Sequence, residues 1–197
     1  MKLPPLILAS ASPRRAELLR QLKLDFKIVP SDAPEVFDDH LSPLELCELN
    51  AHRKARSVAK KIPDALVLGA DTLVFLDREV FGKPASVGEA GEMLAQLQGR
   101  MHQVVTGVSL IHLRAHTERI FADSTDVMFH PLTPEQIGEY IRKVNTLDKA
   151  GAYAIQEGGE SIVSEISGSF SNVMGLPIEK VRKELNSWTS KRESSSL

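Results

Sequence analysis

Hydrophobic positions along this chain follow two periods, and they mark out strands and helices before composition is considered. An apolar run at residues 6–9 leads into Ser12, Pro13 and a helical segment at 14–22. This predicts a buried strand, a tight turn, and a helix with Ser12 as N-cap and Pro13 at its first position. Residues 26–29 read as a short strand, and residues 30–35 as a loop carrying two carboxylates, Asp32 and Glu35. Ser42 and Glu45 have capping-box spacing and open a long helix, with an apolar stripe through Leu44, Cys47, Ala51, Ala55, Val58 and Ile62. Residues 65–76 are the most apolar run and predict a strand buried on both faces. A helix over 89–97, with Met93, Leu94 and Leu97 inward, is stopped by Gly99. Two long strands at 103–113 and 117–129 form an antiparallel hairpin turning at 114–116, and Gly107 inside the first marks a bulge or a close approach. Thr133 and Gln136 form a second capping box, opening a helix with Ile137, Tyr140, Ile141 and Val144 on one face. A strand at 161–166 and a last helix from Pro177 to Trp188 complete one domain over 1–188, followed by a frayed polar tail at 189–197.

Composition narrows the setting. The chain has 197 residues, 42% hydrophobic and 25% charged, an ordinary balance for a globular protein. Its formal net charge of −2 gives no global basic field, so a nucleic-acid polymer is not expected as partner, while a local basic pocket for a small anion is allowed. A single cysteine, Cys47, excludes an intramolecular disulfide and fits a reducing compartment; its place on an apolar helix face makes it a core residue. With no signal-like segment and no run near the ~20 apolar residues of a membrane span, a cytoplasmic protein without membrane contact is expected.

Several charged residues sit where pattern alone does not want them. Arg14 and Arg15 occupy a first helical turn, where the helix dipole favours acids by about 0.3–1 kcal/mol each. They are either solvated, or they join Ser10, Ser12 and the free N–H groups of the turn in binding a phosphate or carboxylate. Lys54 borders the apolar stripe of its helix, and either snorkels to water or projects beside the sheet. Asp71 is the one charge in the most apolar strand: a turn cap after Gly69, or a carboxylate held for a cation or a water. Lys83 lies in a Gly-Lys-Pro loop, and Gln156 is a polar amide placed at a strand end before Gly158 and Gly159; each faces either a ligand or solvent. The six histidines show no zinc-ligand spacing, and a Gly-Xaa-Ser-Xaa-Gly elbow, a Walker loop and a Rossmann fingerprint are all missing. Cations at helix edges and loops with isolated carboxylates suit phosphate chemistry with a hard divalent cation.

Five strings, in order, carry a family resemblance: Leu-Ala-Ser-Ala-Ser-Pro-Arg-Arg (8–15), Gly-Ala-Asp-Thr (69–72), Lys83-Pro84, Thr106-Gly107 and Asp-Lys-Ala-Gly-Ala-Tyr-Ala-Ile-Gln (148–156). Together, across residues 6 to 185, they resemble the Maf family of nucleoside triphosphate pyrophosphatases, in particular its dTTP/UTP branch rather than the branch acting on 7-methyl-GTP. The resemblance implies an α/β fold, elongated and two-lobed around a long, bent mixed sheet with flanking helices, akin to the inosine triphosphate pyrophosphatases. It implies Asp71 as general base, and Ser10, Arg14, Arg15, Lys54 and Lys83 as the triphosphate lining. Glu35 matches an acidic site residue, with Asp32 as an alternative; Arg14, Thr72 and Gln156 match positions that select the base. A divalent cation, Mg²⁺ or Mn²⁺, is implied without assigned ligands, as is a homodimer. A regulatory role in septum formation is the rival function.

Overall fold

A computed structural model describes residues 3–190, with side chains to 188; the tail expected beyond falls, from 191 on, outside the described residues. In chain order the elements are β1 (Leu6–Leu8), α1 (Pro13–Arg20), β2 (Phe26–Ile28), α2 (Pro43–Lys61), β3 (Leu66–Leu76), β4 (Glu79–Phe81), α3 (Val87–Leu97), β5 (Met101–His112), β6 (Thr117–Phe129), α4 (Pro134–Lys143), β7 (Val163–Ser167), α5 (Phe170–Val173) and α6 (Ile178–Ser190), with short 3₁₀ turns at Leu113–Ala115, Ala150–Ala152 and Gly159–Ser161.

The seven strands form one mixed sheet in the order β2-β1-β3-β5-β6-β7, with β4 on β3. β1 runs parallel to both β2 and β3, with Leu6 opposite Phe26 and Leu66; β4 is antiparallel to β3, and β7 to β6. β5 and β6 are neighbours joined by only residues 113–116, a connection that permits an antiparallel pair alone. Among the described residues no helix is long and apolar enough to cross a membrane.

The chain divides into two compact units. Among the described residues the first comprises 3–71, 106–123 and 175–190, and the second 72–105 and 124–174. In the first unit, Ile7, Val67 and Ile111 from the strands, with Ala9 just after β1, pack with Ala55, Val58 and Ala59 of α2. Helix and sheet approach closely because two strand positions lack a side chain. A Cβ on Gly69 would lie 2.5 Å from the Ala51 carbonyl oxygen, and one on Gly107 would lie 2.2 Å from the Cys47 carbonyl carbon. The close approach expected at Gly107 is therefore real, and Cys47 is fully buried beside it. Both ends of the expected stripe on α2 are corrected: Leu44 and Ile62 are exposed, and Leu46 is buried instead. A helical period read to the helix termini overshoots the length that the sheet covers.

The core of the second unit gathers Val74, Leu76 and Phe81 with Leu94 and Leu97 of α3, Ile137 and Tyr140 of α4, and Phe129. Asp77, at φ 56°, turns the chain so that Phe81 of β4 pairs with Val74 of β3. Within this core His102 Nε2 is 3.0 Å from the Tyr153 hydroxyl, and its ring meets Phe129 edge-on at 4.7 Å. Burial pulls its pKa down to about 4 from an ordinary 6.5. The unfolded chain therefore binds the extra proton first as pH falls, and the stabilisation present above 6.5 is lost between about 6.5 and 4. Urea unfolding followed across this window should lose roughly 3 kcal/mol through this group, by the 1.36 kcal/mol per pKa unit. His102→Gln should flatten that slope.

Candidate active site

The turn between β1 and α1 forms as expected. Ser12 caps α1, its Oγ accepting from the Arg15 backbone N–H at 3.4 Å, and Pro13 takes the first turn, where its missing N–H costs nothing. Ser10 is buried, and its hydroxyl accepts from the backbone N–H of Ser12 at 3.2 Å and from Arg15 Nη1 at 3.3 Å. Arg15 also donates from Nε to the Gly175 carbonyl at 2.8 Å. Arg14 stands half-buried on the same turn. Arg15 is tied into the turn, fixing Ser10 and the backbone at Gly175. Burial lowers the Arg15 pKa, the charges of Asp71 and Glu35 oppose that, and Arg14 adds to it; an arginine remains charged throughout.

Asp71 lies at the middle of β3, 3% exposed. Its Oδ1 accepts from Lys54 Nζ at 2.6 Å, while its Oδ2 is buried without a hydrogen-bond partner. Lys54 reaches there from α2, and the same ammonium donates to Glu35 Oε1 at 2.5 Å. A lysine at the margin of the apolar stripe thus joins two carboxylates, and of its two expected readings the one beside the sheet holds. Asp71 is no turn cap, since its neighbours on both sides continue the strand.

The loop before α2 decides between the two acids. Residues 31–36 are laced to one face of α2 at roughly successive turns. Asn50 accepts from the Val36 N–H at 2.8 Å and donates to the Val36 carbonyl at 3.0 Å; Lys54 takes Glu35; Ser57 meets Ser31 at 2.8 Å; and Lys61 takes Asp32 at 2.8 Å. Glu35 therefore belongs with Asp71, whereas Asp32 is drawn to the exposed end of the helix, where Lys61 lowers its pKa. Asn50 was missed in the sequence. Its one signal is an amide on the buried side of the helix, four residues before Lys54, and it is 1% exposed. Asn50→Ala should free Val36 and with it Glu35, costing about 1–3 kcal/mol of stability for the buried groups left unpaired. The loss of activity should exceed what the remaining folded fraction explains, which circular dichroism and turnover on one sample will show.

Three expected residues belong to the second unit. Thr72, half-buried, follows Asp71 in β3; Lys83 is exposed in the loop after β4. Gln156 is exposed as expected of a reader, but it lies among bends rather than at a strand end, because Gly151 and Gly158 adopt φ of 67° and 68° and break extension on either side. The one group of three metal-capable side chains found among the described residues is Asp38, Asp39 and His40, all exposed in a surface loop.

The Staphylococcus aureus Ham1 protein has a similar fold. The two structures agree with a TM-score of 0.54 over 93% of this chain and 98% of that one, at 16% identity, so the likeness is one of fold. The expected inosine triphosphate pyrophosphatase-like α/β fold is thereby borne out. Sequence comparison then gives the family: the model for Maf-like protein matches residues 5–188, and the chain belongs to that family. Similar curated proteins include the dTTP/UTP pyrophosphatase of Symbiobacterium thermophilum, 49% identical over 179 residues (89% of each chain). That of Bacillus velezensis is 45% identical over 187 residues, covering 94% of this chain and 97% of its own.

Proposed function

We propose that this protein hydrolyses the α–β phosphoanhydride of dTTP and UTP, giving the nucleoside monophosphate and pyrophosphate. The observation that carries this reading is the Glu35–Lys54–Asp71 array, exposed at Glu35 and buried at Asp71, with one Asp71 oxygen unpartnered, in the unit that holds the Arg14–Arg15 turn. The names of the relatives supply the substrates.

In this reading Asp71 is the general base. Its Oδ1 is pinned by Lys54, which fixes the carboxylate and leaves Oδ2 directed to accept a proton from the attacking water. The water oxygen bonds to phosphorus, its proton passes to Asp71, and the bridging oxygen leaves with pyrophosphate. Lys54 and the guanidiniums offset charge developing on phosphate oxygens, and Ser10 adds a hydroxyl at the helix N-terminus. Thr72, Lys83, Gln156 and Arg14 take the base- and phosphate-binding roles that family membership suggests.

A divalent cation, Mg²⁺ or Mn²⁺, fits this donor set. Glu35 and Asp71 are hard oxygen ligands of the kind these ions prefer, and Asp71 would take part through Oδ1, its Oδ2 being kept for the water in this reading. Asp71 and Glu35 would hold it, and it would neutralise phosphate charge and acidify water. The single buried thiol of Cys47 supports a cytoplasmic setting, the net charge of −2 argues against a nucleic-acid polymer as partner, and family resemblance supports a homodimer.

A panel of nucleoside triphosphates assayed for pyrophosphate with Mg²⁺ or Mn²⁺ tests the proposal. dTTP and UTP should head the ranking. A preference for 7-methyl-GTP, or tight nucleotide binding with no turnover, would overturn the substrate assignment or the enzyme reading respectively.

A further inference from the structure

Gln156 is exposed, yet the residues leading to it are not. Tyr153, Ala154 and Ile155 are buried, and the chain then emerges for Gln156 and Glu157 before Gly158 turns it back at φ 68°. This stretch has no strand or helix to hold it, so its backbone must be satisfied by side chains. Tyr140 does so, and Lys149 ties the stretch through the side chain of Glu157; both are buried, each only 4% exposed. The Tyr140 hydroxyl accepts from the Ala154 N–H at 2.9 Å and donates toward the carbonyls of Ala154 at 3.2 Å and Glu157 at 3.5 Å. It thereby grips the backbone on both sides of Gln156. The Lys149 ammonium donates to the Asn145 carbonyl at 2.5 Å and to Asp148 at 2.9 Å, and it pairs with the Glu157 carboxylate at 3.7 Å. An ammonium so deeply buried is costly unless it is fully paired, and its partners span the connection from α4 to the residue after Gln156. Gly158 completes the arrangement, since a Cβ there would already touch the Tyr140 ring at 3.5 Å.

We propose that Tyr140 and Lys149 are the positioning residues of Gln156, a two-point clamp that fixes where its amide is presented to the base of a pyrimidine nucleotide. This rests on the reading of Gln156 as a base-selecting residue. A hydrogen-bonding amide discriminates only if its own position is fixed, because a mobile amide adapts to the donor and acceptor pattern of either base. Neither clamp residue touches the nucleotide; each acts through the backbone or side chain next to Gln156.

The test is a double-mutant cycle read by binding, so that it does not depend on turnover. Affinities for the α,β-methylene analogues of dTTP and dCTP are measured for the wild type, Tyr140→Phe, Gln156→Ala and the double variant. Tyr140→Phe and Gln156→Ala should each shrink the dTTP-over-dCTP preference by about fivefold or more. The double variant should be no worse than Gln156→Ala alone, a non-additivity that a general loss of stability would not produce. Lys149→Met should act in the same direction, and hydrogen exchange at the Ala154 amide should quicken in Tyr140→Phe. A full additional loss in the double variant, or an unchanged preference in Tyr140→Phe while Gln156→Ala loses it, would overturn the clamp. An unchanged preference in Gln156→Ala overturns the base-reading role itself, and the clamp with it. Should Tyr140→Phe fail to fold, Lys149→Met in the Gln156→Ala background supplies the same cycle.

Discussion

Replacing Asp71 with Asn should lower turnover on dTTP and UTP by about 10²- to 10⁴-fold, the range for removing a general base, while leaving the protein as stable as before or slightly more so. The two halves of that expectation have one cause. Asp71 is 3% exposed, with one oxygen unpartnered, so its charge is held in a place that solvent barely reaches. Folding around such a carboxylate is unfavourable; Lys54 offsets it by a direct hydrogen bond, and the Arg15 charge adds to that. Asn keeps the shape and still accepts from Lys54, but it takes no proton. Urea denaturation beside the pyrophosphate assay will separate these effects. A variant that folds normally and turns over normally would remove Asp71 from the chemistry.

Lys54→Met should do the opposite to stability. It leaves Asp71 and Glu35 close together without the ammonium that lies 2.6 Å and 2.5 Å from them, two like charges of which Asp71 is barely solvated. The expected loss is about 2–4 kcal/mol, at or below the range for breaking a buried pair because Glu35 keeps part of its hydration. Activity should fall as well. Adding Asp71→Asn to Lys54→Met should restore much of the lost stability, because the uncompensated charge is then gone, yet recover no turnover. Stability and activity would thus move apart in the double variant. A double variant as unstable as Lys54→Met would mean that Lys54 contributes by packing of its stem rather than by charge.

What the sequence revealed and what it hid follow from how local each feature is. The Ser12–Pro13 start of α1 and the capping boxes at Ser42 and Thr133 form as expected, since a cap is written within four residues. The burial of β3 and the oddity of Asp71 were legible for the same reason: one charge among apolar neighbours needs no knowledge of the fold. The partner was not. That Glu35 rather than Asp32 meets Lys54 depends on which turn of α2 each loop residue faces, a matter of register between a loop without period and a helix. Arg15 binding the Gly175 carbonyl joins residues 160 apart in sequence, which no local pattern can announce. The stretch around Gln156 was misread as extended because small apolar residues imitate a strand, whereas its conformation is set by two positive-φ glycines and two side-chain anchors. α5 is a single turn, too short to show a period.

Product identity puts the central claim to its most direct test. dTTP incubated with the protein and Mg²⁺ or Mn²⁺, with the products resolved by anion exchange, should give dTMP and pyrophosphate in equal amounts, as cleavage between the α and β phosphates requires. Formation of dTDP and orthophosphate, or recovery of unreacted dTTP and UTP across both metals, would contradict it.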